Sequence, residues 1–211
     1  MNLKKAGILI FIILLVDQIS KIYIKTNFML GEEVRVLSWF RILFVENEGM
    51  AWGAKIPGAY GKIILTLFRL VAITAIGYWL VKSIQEKAPK ILIISVSLIF
   101  AGALGNILDS VFYGVIFDDS YGNVASLFAE EPYGSWLKGK VVDMLYFPLY
   151  DGLLPEWFPI WGGERFVFFE PVFNIADSAI SVGFGLIILF NKTAFPNEKK
   201  EEKKKETSQN H

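Results

Sequence analysis

The chain has 211 residues, 54% of them hydrophobic, and its mean hydropathy of +0.45 is high for a soluble globular protein. Its 21 Lys and Arg balance 21 Asp and Glu, so no bulk electrostatics point to a nucleic-acid partner. Cysteine is absent and the sole histidine is the last residue, His211, which leaves disulfides, thiolate nucleophiles, zinc sites and Ser-His-Asp triads without residues to build on; no metal or cofactor is expected. Carboxylate chemistry without a metal survives this elimination.

Crossing about 30 Å of hydrocarbon takes roughly 20 apolar residues. Four stretches meet that requirement, at about 6–24, 62–81, 90–108 and 173–190, the second interrupted by Arg69. Lys4 and Lys5 before the first stretch fit a signal peptide. Asp17, Lys21 and the lack of a small-x-small cleavage signal argue instead for a retained span. Between the first two spans, residues 33–45 are β-branched and aromatic with imperfect alternation, which predicts a short hairpin or curled sheet. Between the last two, residues 110–172 are rich in Gly, Pro and aromatics, with Trp136, Trp157 and Trp161 suited to a membrane–water boundary. No internal repeat is visible. The expectation is an α-helical membrane protein of four spans, with a small external β element and an extended external loop between spans three and four. Residues 1–195 form a single domain on this reading, and 196–211 a disordered, Lys/Glu-rich cytoplasmic tail.

Lysine placement sets the direction. Lys4 and Lys5 precede span one, Lys82, Lys87 and Lys90 crowd the connection between spans two and three, and Lys192, Lys199 and Lys200 follow span four. Both termini therefore face the cytoplasm, with about 25–60 and 110–172 outside. Asp17 and Lys21, Asn106 and Asp109, and Asn174 and Asp177 all then fall at the external leaflet. Each set shares a helical face, and in lipid such polar stripes turn toward a bundle interior.

A carboxylate beside a bilayer is expensive, so it signals chemistry, transport or a fixed ion pair. Two aspartates can hydrolyse a peptide without a metal: one, ionised, takes a proton from water, and the other, protonated, polarises the carbonyl. Asp143 and Asp177 are candidates for this work; for either alone, an ion pair or a helix cap is an equal reading. Asp17 with Lys21 reads as a structural pair. Ser20 and Lys21 are adjacent on a helix and diverge by about 100°, which disfavours a Ser-Lys dyad. Asn47-Glu48-Gly49 reads as a tight turn or an ordinary loop. Arg69 has three readings: snorkelling, a lipid phosphate, or a buried carboxylate.

Five segments together resemble those of lipoprotein signal peptidases (signal peptidase II), a family of four-span bacterial intramembrane aspartyl proteases. They are Asp17-Gln18-Ile19-Ser20-Lys21, Asn47-Glu48-Gly49-Met50-Ala51-Trp52-Gly53, Gly102-Ala103-Leu104-Gly105-Asn106-Ile107-Leu108-Asp109, Val141-Val142-Asp143, and Phe173-Asn174-Ile175-Ala176-Asp177-Ser178. Each is short, but all five occur in the family's order on spans of the right direction.

The resemblance implies that Asp143 and Asp177 are the catalytic dyad. It also implies that Asn106, Asp109, Asn174 and Ala176 shape the surroundings, that Asp17 and Lys21 support helix packing, and that Asn47 and Gly49 belong to a substrate-facing external sheet. The implied partners are a diacylglyceryl-modified prolipoprotein, cut before its lipidated cysteine, and membrane lipid. The implied enzyme is a monomer in the bacterial inner membrane with its site at the outer leaflet. The chain departs from the family pattern at Ser110, where an Arg is usual, and in the length of the segments flanking Asp143; Arg69 is the expected substitute charge. The rival classes are an inactive lipoprotein-binding relative, which would lack one aspartate, and a carboxylate-dependent transporter, which would lack the motif order.

Overall fold

The computed structural model describes residues 1–48 and 60–196. Three helical stretches among these residues are long and apolar enough to cross a membrane: α1 (Leu3–Lys25), α2 (Gly61–Gln85) and the run Lys90–Ile116. The last is α3 (Lys90–Leu108), one π-helical turn (Asp109–Tyr113) and the short α4 (Gly114–Ile116). The fourth apolar stretch gives α5 (Ile175–Leu189), followed by α6 (Asn191–Ala194). At 15 residues, α5 is only about 22 Å long at 1.5 Å per residue. It starts later than the expected 173 because the chain before it is consumed by a strand. Gly49 and residues 197–211 of the expected tail lie outside the described residues.

Two compact units divide the chain. The first comprises Met1–Asp17, Leu67–Ile107 and the described part of Ile175–His211. Its core gathers Leu80, Leu92, Ile93, Val96 and Ala194, with Ile10, Ile76 and Phe100 packed against them. Large apolar side chains also point outward, among them Phe11 (63% exposed), Val71 (71%) and Ile188 (72%). In water that pattern would be costly; beside lipid tails it costs nothing. Helix contacts in lipid rest on close packing, and small residues supply it. A β-carbon on Gly102 would run into the Ala176 carbonyl oxygen, and one on Gly183 would come within 2.7 Å of the Ser95 carbonyl oxygen. The hydroxyls of Ser95 and Ser97 bond back to the carbonyls of Ile91 and Ile93, at 2.8 and 2.7 Å, so neither is left unsatisfied.

The second unit comprises Gln18–Thr66 and Leu108–Asn174. It holds a four-stranded antiparallel sheet in the order β1-β2-β3-β6, built from β1 (Glu33–Leu37), β2 (Phe40–Asn47), β3 (Val141–Tyr146) and β6 (Val172–Phe173). The hairpin expected at 33–45 is β1 and β2, with Leu37 opposite Phe40. The sequence reading did not foresee that strands from the second external segment extend it: Val45 lies opposite Asp143, and Leu145 opposite Phe173. Ile24, Phe44, Tyr113, Phe117, Ala125, Val142 and Met144 form the core beneath the sheet. A separate two-stranded hairpin, β4 (Tyr150–Leu153) with β5 (Arg165–Phe168), follows β3.

The π turn explains how β3 arrives where it does. A widened turn leaves carbonyls without ordinary helical partners. The carbonyls of Val111 and Ser110 accept from the backbone of Leu137 (3.2 Å) and Gly139 (2.9 Å), pinning the loop that leads into β3. Gly139 is required there, because a β-carbon would overlap the Asp109 carbonyl oxygen.

Candidate active site

Asp143 sits in the middle of β3, in a run of four buried residues, Val141 to Met144. It is 3% exposed. Buried polar groups need hydrogen-bond partners, and asparagine amides provide them. The Asn174 Nδ2 donates to Asp143 Oδ1 at 2.7 Å, and the Asn47 Nδ2 donates to Oδ2. Asn47 ends β2, and its place in the register is opposite Val141. Asn174 also donates to the Val142 carbonyl at 3.3 Å, gripping the strand and its carboxylate together.

Asp109 stands behind this arrangement. Its Oδ2 accepts from the Val142 backbone N–H at 3.3 Å, one residue before Asp143. Lys21 Nζ lies 2.9 Å from the same oxygen, with both side chains fully buried. Gln18 Nε2 donates to Oδ1 at 2.9 Å, and the Tyr113 hydroxyl donates to the side-chain oxygen Oε1 of Gln18 at 3.2 Å. Two buried charges with all these hydrogen bonds are tolerable as a pair; removing one strands the other, at a cost of about 3–5 kcal/mol. Within the second unit Lys21 pairs with Asp109, 88 positions away in number, a partnership that no local periodicity reports.

In the first unit, Asp177 lies in the first turn of α5, half-buried, and its Oδ1 accepts from Asn106 Nδ2 of α3 at 2.7 Å. The opening turn of a helix carries unpaired backbone N–H groups and a partial positive charge. Asp17, fully buried on α1, answers both: its Oδ1 accepts from the Ala176 N–H at 2.9 Å. Gly105 makes room for this cap. A β-carbon there would stand 2.6 Å from Asp17 Oδ2 and 3.2 Å from the Ala176 methyl.

The first unit thus brings Asp17, Asn106, Ala176 and Asp177 together, and the second brings Lys21, Asn47, Asp109, Asp143 and Asn174. Arg69 is half-buried on α2, in the first unit, and Ser110 is fully buried in the π turn, in the second. Sequence reasoning missed one further buried ionic group. Lys25, which closes α1, is fully buried and pairs with Glu46, donates to Ser120 Oγ at 2.7 Å, and lies 4.9 Å from the centre of the Tyr133 ring. Lys140 Nζ holds the other Glu46 oxygen at 3.1 Å. Burial pushes the Tyr133 phenol well up, and its oxygen accepts from the Lys140 N–H at 2.8 Å. Glu46 precedes Asn47 on β2, so this group fixes the strand that delivers an amide to Asp143. A lysine ending an apolar helix reads as a boundary residue, which concealed the pairing. Among the described residues, no group of three or more His, Cys, Asp or Glu side chains is set to hold a metal ion.

Membrane-length apolar helices with asparagine-bound carboxylates define the class: an α-helical membrane protein with aspartates held in asparagine hydrogen bonds. The sequence matches the model of the family described as Signal peptidase (SPase) II over residues 9–192. The chain belongs to the signal peptidase II family, a family of proteases. It is 48% identical over 188 residues to the lipoprotein signal peptidase of Porphyromonas gingivalis, covering 88% of this chain and 82% of that one. The corresponding protein of Amoebophilus asiaticus is 37% identical over 181 residues, covering 82% and 72%. A solved bacterial membrane enzyme, determined by the in meso method at 2.3 Å, superposes with a TM-score of 0.60 at 25% identity over 91% of each chain. A second such structure, at 1.9 Å, shares the fold with a TM-score of 0.59 at 24% identity.

Proposed function

We propose that this protein is an aspartic endopeptidase that removes signal peptides from diacylglyceryl-modified prolipoproteins, cutting before the lipidated cysteine, with Asp143 and Asp177 as its dyad. Family membership supports the reaction. The observation that carries the residue assignment is the doubly amide-bound Asp143, one of whose donors, Asn174, lies three residues before Asp177 in the chain. In the reaction the ionised aspartate takes a proton from water as the water oxygen attacks the carbonyl carbon before the cysteine. The protonated aspartate hydrogen-bonds the carbonyl oxygen and then gives its proton to the leaving cysteine nitrogen. Asn47, Asn106 and Asn174 orient the two carboxylates. Asp109 with Lys21 positions the strand, and Asp17 positions Ala176 and the start of α5. Gly49 serves substrate binding, and Arg69 supplies the positive charge that the family pattern carries at position 110.

The enzyme is a monomer of the bacterial inner membrane on this reading. Residues 1–195 act as one peptidase domain, α5 and α6 make the fourth crossing, and both termini are cytoplasmic. The second unit then lies outside, and the acyl chains of the substrate hold its cysteine at the outer leaflet. Cleavage of purified prolipoprotein, followed by gel shift, tests this. Only the diacylglyceryl-modified substrate should be cut, chelator should have no effect, and Asp143→Asn and Asp177→Asn should each be inactive. Activity surviving either substitution would displace that residue from the dyad.

A further inference from the structure

The β4–β5 hairpin has two unlike faces. On one, Asp151 is clamped: Arg165 Nε and Nη2 donate to its oxygens at 2.9 and 3.0 Å, and Arg41 Nη2 of β2 reaches it at 2.9 Å. This ties the hairpin to the sheet within the second unit. The register puts Tyr150 opposite Phe168 and Gly152 opposite Phe166, so these three aromatics share the other face. They are 44%, 55% and 41% exposed. The connection between the strands carries Trp157 (79% exposed), Ile160 (86%) and Trp161 (54%). Ile160 adopts a φ of +76°, a conformation that β-branched residues avoid, and in it the side chain stands outward.

An isolated two-stranded hairpin with an uncovered apolar face is marginal in water, and such a face needs an apolar neighbour. The chain itself indicates which. Phe168 lies seven residues before Ile175, where an apolar helix begins, and an extended chain spans at most about 3.6 Å per residue. Tryptophan, with an apolar body and a polar N–H, favours the boundary between lipid and water. The hairpin's charges are Asp151, Glu156, Glu164 and Arg165, which offer no net attraction to anionic lipid. We infer that the β4–β5 hairpin is a membrane-interface anchor, seated through Trp157, Ile160, Trp161 and the aromatic face of its strands in the boundary region of the bilayer, and held there by apolar burial rather than by charge. The inference rests on the membrane reading of the helices and is independent of the dyad assignment.

The chain has no cysteine, so one introduced residue gives one labelling site. Nitroxide labels at Ile160→Cys, Phe11→Cys and Glu130→Cys, in full-length protein reconstituted into phosphatidylcholine nanodiscs, report relative access of oxygen and of a water-soluble nickel chelate. Retained prolipoprotein cleavage shows that each variant is folded. The ratio of oxygen to chelate access should be several-fold higher at position 160 than at 130, and unchanged by raised salt. An aqueous signal at 160 with a lipid-like one at Phe11→Cys would overturn the anchor alone. Aqueous signals at both would overturn the membrane reading with it. Shielding at 160 that appears only when prolipoprotein is added would assign the face to substrate and also overturn the anchor.

Discussion

Asp143 and Asp177 are held by the same chemistry in opposite settings. Each accepts from asparagine amide nitrogen, yet Asp177 stands on a helix whose place is set by close packing of small residues, and Asp143 stands on a strand whose place is set by buried charge. Around Asp177 the determinants are Gly102, Gly105 and the cap from Asp17. Around Asp143 they are the Lys21–Asp109 pair and, one strand over, Lys25 with Glu46. The difference follows from the surroundings. Helices satisfy their own backbone and need only shape to associate in an apolar medium. A short strand depends on neighbours for every backbone group, so its position must be fixed by partners brought from elsewhere.

The comparison breaks most visibly at the carboxylates themselves. Asp143→Asn and Asp177→Asn should each lower cleavage by about 10²–10⁴-fold or more, the range for loss of a general acid or base. Asp143→Asn should in addition cost about 1–3 kcal/mol of stability, because its new amide nitrogen faces an asparagine donor where an oxygen accepted before. Unequal losses would show that the two settings do not serve one reaction step. Next in size is the charge on the strand side. Lys21→Met removes a buried cation from beside the buried Asp109 carboxylate and should cost up to about 3–5 kcal/mol in denaturant unfolding in detergent, with Asp109→Asn in the same chain recovering part of it. No recovery would mean that Lys21 is held by some other partner.

Shape on the helix side should matter less. Gly105→Ala drives a methyl toward Asp17 and Ala176, with an expected cost of about 1–3 kcal/mol by the same measurement. Asp17→Ala, which removes the α5 cap, should cost about 1–2 kcal/mol, and Asp17→Asn, which keeps an acceptor, less. If Asp17→Asn costs as much as Asp17→Ala, charge governs here too and the contrast between the two regions dissolves.

The smallest effect lies at the hairpin. Hydrogen bonds from Arg165 and Arg41 hold the Asp151 carboxyl below the usual carboxylate range. A carboxylate whose pKa is lower in the folded chain stabilises it fully above the unfolded value, about 4, and loses that contribution as pH falls through the folded value. The hairpin should therefore loosen only in acid, seen as broadened mobility of a label at Ile160→Cys, and Asp151→Asn should flatten the dependence.

Much of the helical frame was legible beforehand because apolar runs of membrane length need no partner to declare themselves. The hairpin at 33–45 was legible from its β-branched and aromatic residues. β3 was not, since Val141 to Met144 are buried on both faces and show no alternation. Nor was the π turn at Asp109, which propensity does not mark. The start of α5 was misplaced by two residues, because Val172 and Phe173 are as apolar as the helix and only pairing with β3 makes them a strand.

By itself, then, the sequence determined where the apolar helices lie, because that depends on composition within one stretch of chain. Tertiary structure alone decided that Lys21 answers Asp109, that Asp17 caps the helix bearing Asp177, and that Asn47 and Asn174 meet on Asp143. Those are partnerships between residues up to 159 positions apart. They form because burial leaves a charge or an N–H no water to bond, and the group that satisfies it is chosen by the fold rather than by the local sequence.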